Sequence, residues 1–440
     1  MIVLSIGKLV AAQASYYTEQ LTHSVGEDRP VLRPAGPDQA DYYAAHESPS
    51  RWMGAGLERL DMSADAVVDP AVFAKLMNNH QTPAGEAMTL ARSNRLKVAA
   101  LDLTLSAPKS VSLLFAFGNE DVRNAVVNAH RQAVQEVMRY MEERASQSRL
   151  VERYRSTEGS WKMKTRSVSS EGYLAAAFDH YTSRANDPQV HTHVVVINRV
   201  WADGGWRAID AKRAYAHAKA GGTVYQAVLR DRLTSTLGVS WKPVVNGHAD
   251  VEGFTPELLR HFSTRRSEIV EAVDRFIAQH GGQAHRRVYQ TFTLETRQAK
   301  SYPKDEAASA RRMKDYGITG TVESHWYQRA IDAPDDVIGA VERVVAVGRQ
   351  GLRPTAEQVV EAATAVTGWV TDRQAVFTER DLVAHVASLY PDGATPSELI
   401  GTAGLVLSTA QTSGDVLTII PTTTSELTLP EGITLTPEEL

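Results

Sequence analysis

The chain has 440 residues, 43% apolar and 22% charged, with a formal net charge of −5 and no cysteine. That length predicts two or three domains. The lack of cysteine excludes disulfides, thiolate metal sites and a thiol nucleophile, and no run of 18 apolar residues is present to insert in a membrane.

In chain order, the apolar run Ile2–Ile6 predicts a short strand, after which Gly7 opens a helical stretch to about Leu21. The start carries neither a basic leader nor an apolar stretch with a small-residue cleavage site. It reads as mature protein, and the lack of cysteine suits a bacterial-type cytoplasm. Pro, Gly, Asp and Ser crowd residues 24–50 and predict a loop. Val98–Leu105 alternates as a strand does, and SAPKSVS then turns into a helix over 110–145 with Ser110 as its cap. Gly172–Tyr181 and Val190–Val200 read as two strands joined by the turn-rich SRANDPQ. Helical patterns cover 211–237, 255–280 and segments between 295 and 345. The order of elements predicts an α+β fold, a sheet covered by helices. A composition shift at IDAPDD, near 331–336, predicts a boundary. Beyond it FTERDLVAHVASLY, ATPSELIGTAGLVL and DVLTIIP read as helix, helix and strand, a small winged-helix-like unit.

The net charge hides a split. From Ile331 to Leu440 there are 5 Lys and Arg against 16 Asp and Glu, whereas residues 151–330 hold 27 against 19. The first three quarters can meet phosphates and the acidic tail cannot, although a mild positive excess also describes an ordinary solvated surface. No G-x-x-x-x-G-K-[ST] loop is present, so this chain gives no support for an NTPase.

His191 and His193 in VHTHVVVINRV lie two apart, on one face of a strand. If the flanking strands form an antiparallel hairpin centred on Ala185–Asn186, His180 of AAAFDHY falls opposite His191 and shares that face. Three imidazoles would then converge, an open three-ligand metal site suited to catalysis. The plain alternative is three separately satisfied histidines. Three neutral nitrogens favour zinc, nickel, copper or manganese, while phosphate and water oxygens in the open positions would also admit Mg²⁺ or Mn²⁺. Asp102 sits in an apolar strand, where a carboxylate is costly unless paired. It could orient a ligating histidine or take a proton, or lie at a solvated strand end. Ser15-Tyr16-Tyr17 and Tyr42-Tyr43 are adjacent tyrosine pairs. A phenol needs a base or a metal to act as a nucleophile, and paired tyrosines also occur simply as packing.

Together, ASYYTEQ, DYYAAH, WMGAGLERL, LDLTLSAPKSVSLLFAF, FDHYTSRANDPQVHTHVVVIN, GGTVYQAVLRDRL and FSTRRSEI resemble the relaxase domain of the relaxase–helicase (MobF-like) conjugative relaxases of the HUH nuclease superfamily. The resemblance covers roughly residues 1–330 and implies an antiparallel sheet bearing the triad, with helices over a DNA cleft and 255–330 as a helical clamp. It implies nicking and strand transfer at a plasmid transfer origin through a 5′-phosphotyrosyl adduct. By motif, Tyr16 would be the first nucleophile with Tyr17 beside it, and Tyr42 or Tyr43 would serve a second transfer. His180, His191 and His193 would hold one divalent metal ion supported by Asp102, and Lys109, Arg184, Arg265 and Arg266 would hold DNA. Mg²⁺ or Mn²⁺ is the expected ion, with Zn²⁺ or Ni²⁺ as substitutes. The implied partners are single-stranded or hairpin transfer-origin DNA, relaxosome accessory proteins and a type IV secretion coupling protein. The implied state is a bacterial cytoplasmic monomer that can travel with DNA to the recipient cell.

Two features depart from the family pattern. The spacer between the tyrosine pairs runs 24 residues, from Thr18 to Asp41, longer than in the relatives. The acidic stretch 331–440 resembles the segment before a helicase motor, whose phosphate-binding loop is missing here. Three other readings suit parts of the same pattern: a rolling-circle replication initiator with the same chemistry at a replication origin, a metallohydrolase in which water attacks, and a non-catalytic hairpin-binding module.

Overall fold

The structure, a computed structural model, describes residues 3–10, 50–88, 98–155, 157, 160–183, 185, 187–280, 322–371 and 378–412. Its centre is a five-stranded antiparallel sheet in the order β1-β3-β7-β6-β2. The strands are β1 (Leu4–Leu9), β2 (Arg51–Met53), β3 (Ala100–Ser106), β6 (Ala175–Thr182) and β7 (Pro188–Ile197). Between β3 and β6 run α2 (Lys109–Phe117), α3 (Glu120–Ala145) and the separate ribbon β4 (Gln147–Arg155) with β5 (Trp161–Ser169). The short helix α1 (Pro70–Ala74) precedes β3. A small hairpin, β8 (Val200–Ala202) with β9 (Gly205–Arg207), follows β7 and leads to the long helix α4 (Ala211–Leu237).

Strand alternation divides the core in two. Odd positions of β3 (Leu101, Leu103, Leu105) join Ala175 and Ala177 of β6 and Val194 and Val196 of β7 in the main core. Val134, Val137 and Met141 of α3 and Val224, Tyr225 and Val228 of α4 cover this face. The opposite face carries Ala100, Ala176, Phe178, Val195 and Ile197. There the segment 50–88 packs over one end through Trp52, Phe73, Leu76 and Met77. The other end of that face carries the histidines.

The structure corrects several sequence expectations. β1 runs on to Leu9 through Gly7, which pairs with Asp102, so strand pairing overrides the expected helical start. The helix over 110–145 is two helices. It breaks at Gly118, where a Cβ would lie 2.5 Å from the Leu114 carbonyl oxygen and from Val122, and Asn119 caps the second helix on Val122 N. Ser110 is not a cap: Pro108 holds that position. The Ser110 hydroxyl instead donates to Asp250 (2.7 Å) and accepts from Val251 N (2.9 Å). Residues 255–280 form two helices, α5 (Pro256–His261) and α6 (Thr264–His280).

Across 331–336 the chain passes from α7 (Val322–Ile331) to α8 (Val337–Val344), which Asp336 caps on Gly339 N. Beyond lie α9 (Ala356–Thr371), α10 (Glu379–Val386) and α11 (Pro396–Thr412). Val341, Leu382, Val386 and Val406 from these helices belong to the main core cluster. α9 is an addition to the expected helix-helix-strand order, and the DVLTIIP strand lies outside the described residues.

Candidate metal centre and nucleic-acid surface

In the hairpin β6–β7 His180 pairs with His191 and Phe178 with His193, as expected, while nearer the tip the register shifts by one residue between His180 and Thr182, so that Thr182 pairs with Pro188. β3 lies on the other side of β7, with Ser106 opposite His191 and Thr104 opposite His193. Directly paired side chains share a face, so three imidazoles meet. Their ring centroids are 5.0, 5.1 and 5.3 Å apart, and one nitrogen of each ring lies within 4.8 Å of the others.

Two hydrogen bonds prepare the rings as ligands. His193 Nδ1 lies 2.9 Å from each Asp102 carboxylate oxygen, and His191 Nδ1 donates to the Gln189 carbonyl at 2.9 Å. Each bond places the proton on Nδ1 and leaves the Nε2 lone pair for a metal, the usual outer support of a ligating histidine. Burial, and then the neighbouring His193, push the His191 imidazole down to about 3, so it is the neutral ligand form at any ordinary pH. The donor set fits a divalent ion with open coordination positions.

The other face of the same hairpin holds a buried polar network. Thr192, between the two histidines, donates to Asp179 at 2.6 Å, and Asp179 also accepts from Arg51 (2.6 Å) and Arg131 (2.9 Å). Burial opposes ionisation of Asp179, but Arg51 and Arg131 outweigh it and hold the carboxyl well below the usual carboxylate range. His130, held neutral by burial that pushes it down to about 4, bridges Thr192 (2.7 Å) and the Tyr225 hydroxyl (2.6 Å). The backbone between the ligands is thereby tied to α3 and α4.

Other expected site residues have different placements. Lys109, expected at DNA, is 6% exposed. Its ammonium donates to the Pro188 carbonyl at 2.5 Å, and burial pushes it down to about 8 against the pull of Asp187. In this conformation it supports the hairpin and is not presented at the surface. Arg265 is half-buried and Arg266 exposed in the first turn of α6. Tyr16, Tyr17, Tyr42, Tyr43 and Arg184 lie outside the described residues.

The ribbon β4–β5 was not expected from sequence. Arg153, Arg155, Lys162 and Lys164 are exposed on it, as are Val151, Tyr154, Trp161 and Met163. The Arg153 guanidinium sits 4.4 Å from the Trp161 ring centre. Its signal in sequence was the alternation Lys162, Lys164, Arg166, which puts three cations on one ribbon face.

The TrwC relaxase family profile matches residues 10–316, most of the chain. The chain belongs to the TrwC relaxase family. It is 27% identical over 401 residues to the multifunctional conjugation protein TraI of Escherichia coli, a match that covers 89% of this chain and 20% of TraI. TraI of strain K12 is likewise 27% identical over 364 residues, covering 80% of this chain and 19% of that protein. The chain therefore spans about a fifth of the length of the curated relatives it matches. Among solved structures, the conjugative relaxase TrwC in complex with oriT DNA, copper-bound, superposes with a TM-score of 0.55 at 25% identity, covering 76% of this chain and 99% of TrwC. TrwC complexed with a 27-mer comprising the recognition hairpin and the cleavage site gives 0.50 at 26% identity, covering 72% and 99%. The resemblance read from the motifs agrees with the family match, and the triad geometry is one that could hold a metal ion.

Proposed function

We propose that this chain nicks one DNA strand at a plasmid transfer origin, and transfers it, through a tyrosine–DNA ester that initiates conjugation. The reading rests on one observation above all: three convergent histidines, one held by Asp102, in a member of the relaxase family. When bound at the triad, a divalent ion, Mg²⁺ or Mn²⁺, supplies Lewis-acid polarisation of the scissile phosphate. The Tyr16 oxygen attacks phosphorus as the bond to the 3′ oxygen breaks, giving a 5′-phosphotyrosyl ester and a free 3′-hydroxyl. Asp102 orients His193 and helps take up the phenol proton. Tyr17 stands beside the nucleophile, and Tyr42 or Tyr43 serves a second transfer. The ester conserves the phosphodiester energy needed for rejoining.

The DNA is held by charge. Arg184, Arg265 and Arg266 meet the single strand beside the metal. The ribbon β4–β5, with Arg153, Lys162 and Lys164 exposed, meets the duplex of an origin hairpin, since a two-stranded ribbon fits a major groove. The solved relatives bound to oriT DNA, one with its recognition hairpin, support this partner. The enzyme acts as a monomer in the bacterial cytoplasm, with relaxosome accessory proteins and a type IV coupling protein, and it accompanies the strand to the recipient. No helix among the described residues is long and apolar enough to cross a membrane.

Denaturing gels of the protein with single-stranded origin DNA and Mn²⁺ test this, with wild type beside Tyr16→Phe and peptide mapping of any adduct. An adduct at Tyr16 that is absent from the variant is expected. Cleavage without an adduct would replace the mechanism with attack by water. An adduct at Tyr17, Tyr42 or Tyr43 would retain the chemistry and move the nucleophile.

A further inference from the structure

The tip of the metal-bearing hairpin carries a second device. Asp187, four residues before His191, is 1% exposed. Its backbone closes the turn: Ser183 N donates to the Asp187 carbonyl at 2.8 Å, and Asp187 N donates to Ser183 Oγ at 3.2 Å. Its carboxylate points away from the sheet to the helical region. One oxygen accepts from Thr264 N at 2.8 Å, and the other accepts from the Thr264 hydroxyl at 2.9 Å and from the Arg329 guanidinium. Arg329 also donates to the His261 carbonyl and lies over the Phe262 ring at 5.2 Å, while His261 Nε2 donates back to the Arg329 carbonyl at 2.9 Å. One carboxylate therefore joins the hairpin, the first residue of α6 and the end of α7. The next residue, Pro188, is fixed from a third side by Lys109.

A buried carboxylate that accepts three hydrogen bonds and faces a guanidinium is costly to disturb, because removing it leaves Arg329 and the first amide of α6 without their acceptor. Arg265 and Arg266 follow Thr264 directly. Their backbone is thus referenced to the same hairpin tip that leads into His191. We propose that Asp187 is a positioning residue: it clasps α6 to the metal hairpin, so that the Arg265–Arg266 step holds a single strand at a fixed distance from the metal ligands. This rests on the DNA-nicking reading above and adds a buried residue that acts through α6. Because this carboxylate ties both α6 and α7 to the hairpin, its loss would let the basic step drift. The histidines, held from the other face by Thr192 and Asp179, would keep their geometry.

The test is a thermodynamic cycle on the full chain, read as equilibrium binding of a fluorescein-labelled single-stranded oligonucleotide of mixed sequence. Cobalt(II) titration reports on the triad in each variant. Asp187→Asn and the pair Arg265→Gln, Arg266→Gln are each expected to weaken oligonucleotide binding by roughly fivefold or more, and their combination to cost little beyond the larger single loss. Asp187→Glu should recover part of the affinity, and cobalt(II) affinity should stay within about twofold of wild type throughout. If Asp187→Asn does not fold, Arg329→Gln takes its place in the cycle. Losses that simply multiply, unchanged oligonucleotide affinity in Asp187→Asn, or a parallel loss of cobalt(II) binding would each overturn the clasp. The assay needs no strand cleavage. A wild type that forms no covalent adduct would therefore sink the nicking mechanism and leave this result to stand or fall separately.

Discussion

Two antiparallel hairpins of this molecule share a geometry and differ in everything their side chains do. The pair β6–β7 is buried on both faces: one carries the triad and part of the smaller core, the other the main core and the Asp179 network. Beyond its base, where Ser148 and Val168 are buried, the pair β4–β5 is exposed on both faces and offers cations and aromatic rings to solvent. A buried hairpin can hold groups whose protonation and direction are fixed, because every polar atom needs a partner there. An exposed ribbon cannot hold a ligand geometry as tightly, but it presents charge over a long surface. In the function proposed above, chemistry falls to the first and DNA affinity to the second.

Substitutions should separate the two roles, and the largest effect belongs to the buried pair. His193→Ala removes a proposed ligand and should lower metal affinity and nicking by more than the roughly 100-fold upper range for loss of a ligand's hydrogen-bond partner. Isothermal titration with Mn²⁺ and nicking assays measure both. Next comes Asp179→Asn, which leaves Arg51 and Arg131 facing a neutral group. A loss of about 3–5 kcal/mol of stability is expected, measured by urea unfolding.

The same residue gives a pH dependence. Its folded-state pKa is depressed, so its stabilisation is present in full above the ordinary carboxylate range. It declines as pH falls below that range toward the folded value, since the unfolded chain takes up the proton first. In Asp179→Asn this part of the acid sensitivity should disappear.

Asp102→Asn should cost roughly 10–100-fold in metal affinity, since the ring loses its ionised acceptor but keeps its place. The smallest effects fall on the ribbon. Lys162→Gln and Lys164→Gln should each reduce the salt slope of hairpin binding by about 0.9 for a phosphate contact in duplex, with thermal stability changed by no more than about 0.5 kcal/mol. A ribbon variant that lost metal binding, or a triad variant that lost only salt dependence, would erase the distinction between the hairpins.

The buried hairpin was legible in the sequence and the exposed one was not, for a physical reason. VHTHVVVINRV is apolar enough to require burial, and its period of two is sufficient to place the histidines on one face. The turn-rich SRANDPQ then brings His180 opposite His191, although the one-residue register shift between His180 and Thr182 could not be read from it. α4 was equally plain: Asp210 caps its start on Lys212 N, and Gly238 closes its end with a φ of 63°. In QSRLVERYR and WKMKTRSVS apolar and charged residues mix on both faces, so alternation carries no burial signal and the segment reads as a surface coil. The break at Gly118 and the role of Ser110 were hidden because each depends on contacts that local pattern does not carry. Ser110, for example, meets Asp250 across 140 positions. The candidate site divides along the same line. The ligands and Asp102 follow from strand period, whereas Asp179 with Arg51 and Arg131, or Asp187 with Arg329, join elements whose contact no local pattern reveals.

The most direct test of the central claim, that the buried hairpin is the metal centre, is cobalt(II) titration of the full chain followed by visible absorption. Wild type should bind one equivalent with a d–d spectrum of low coordination number. His180→Ala, His191→Ala and His193→Ala should each abolish that spectrum, and the Lys162→Gln, Lys164→Gln ribbon variant should reproduce it. A spectrum that survived intact in the three histidine variants would contradict the assignment.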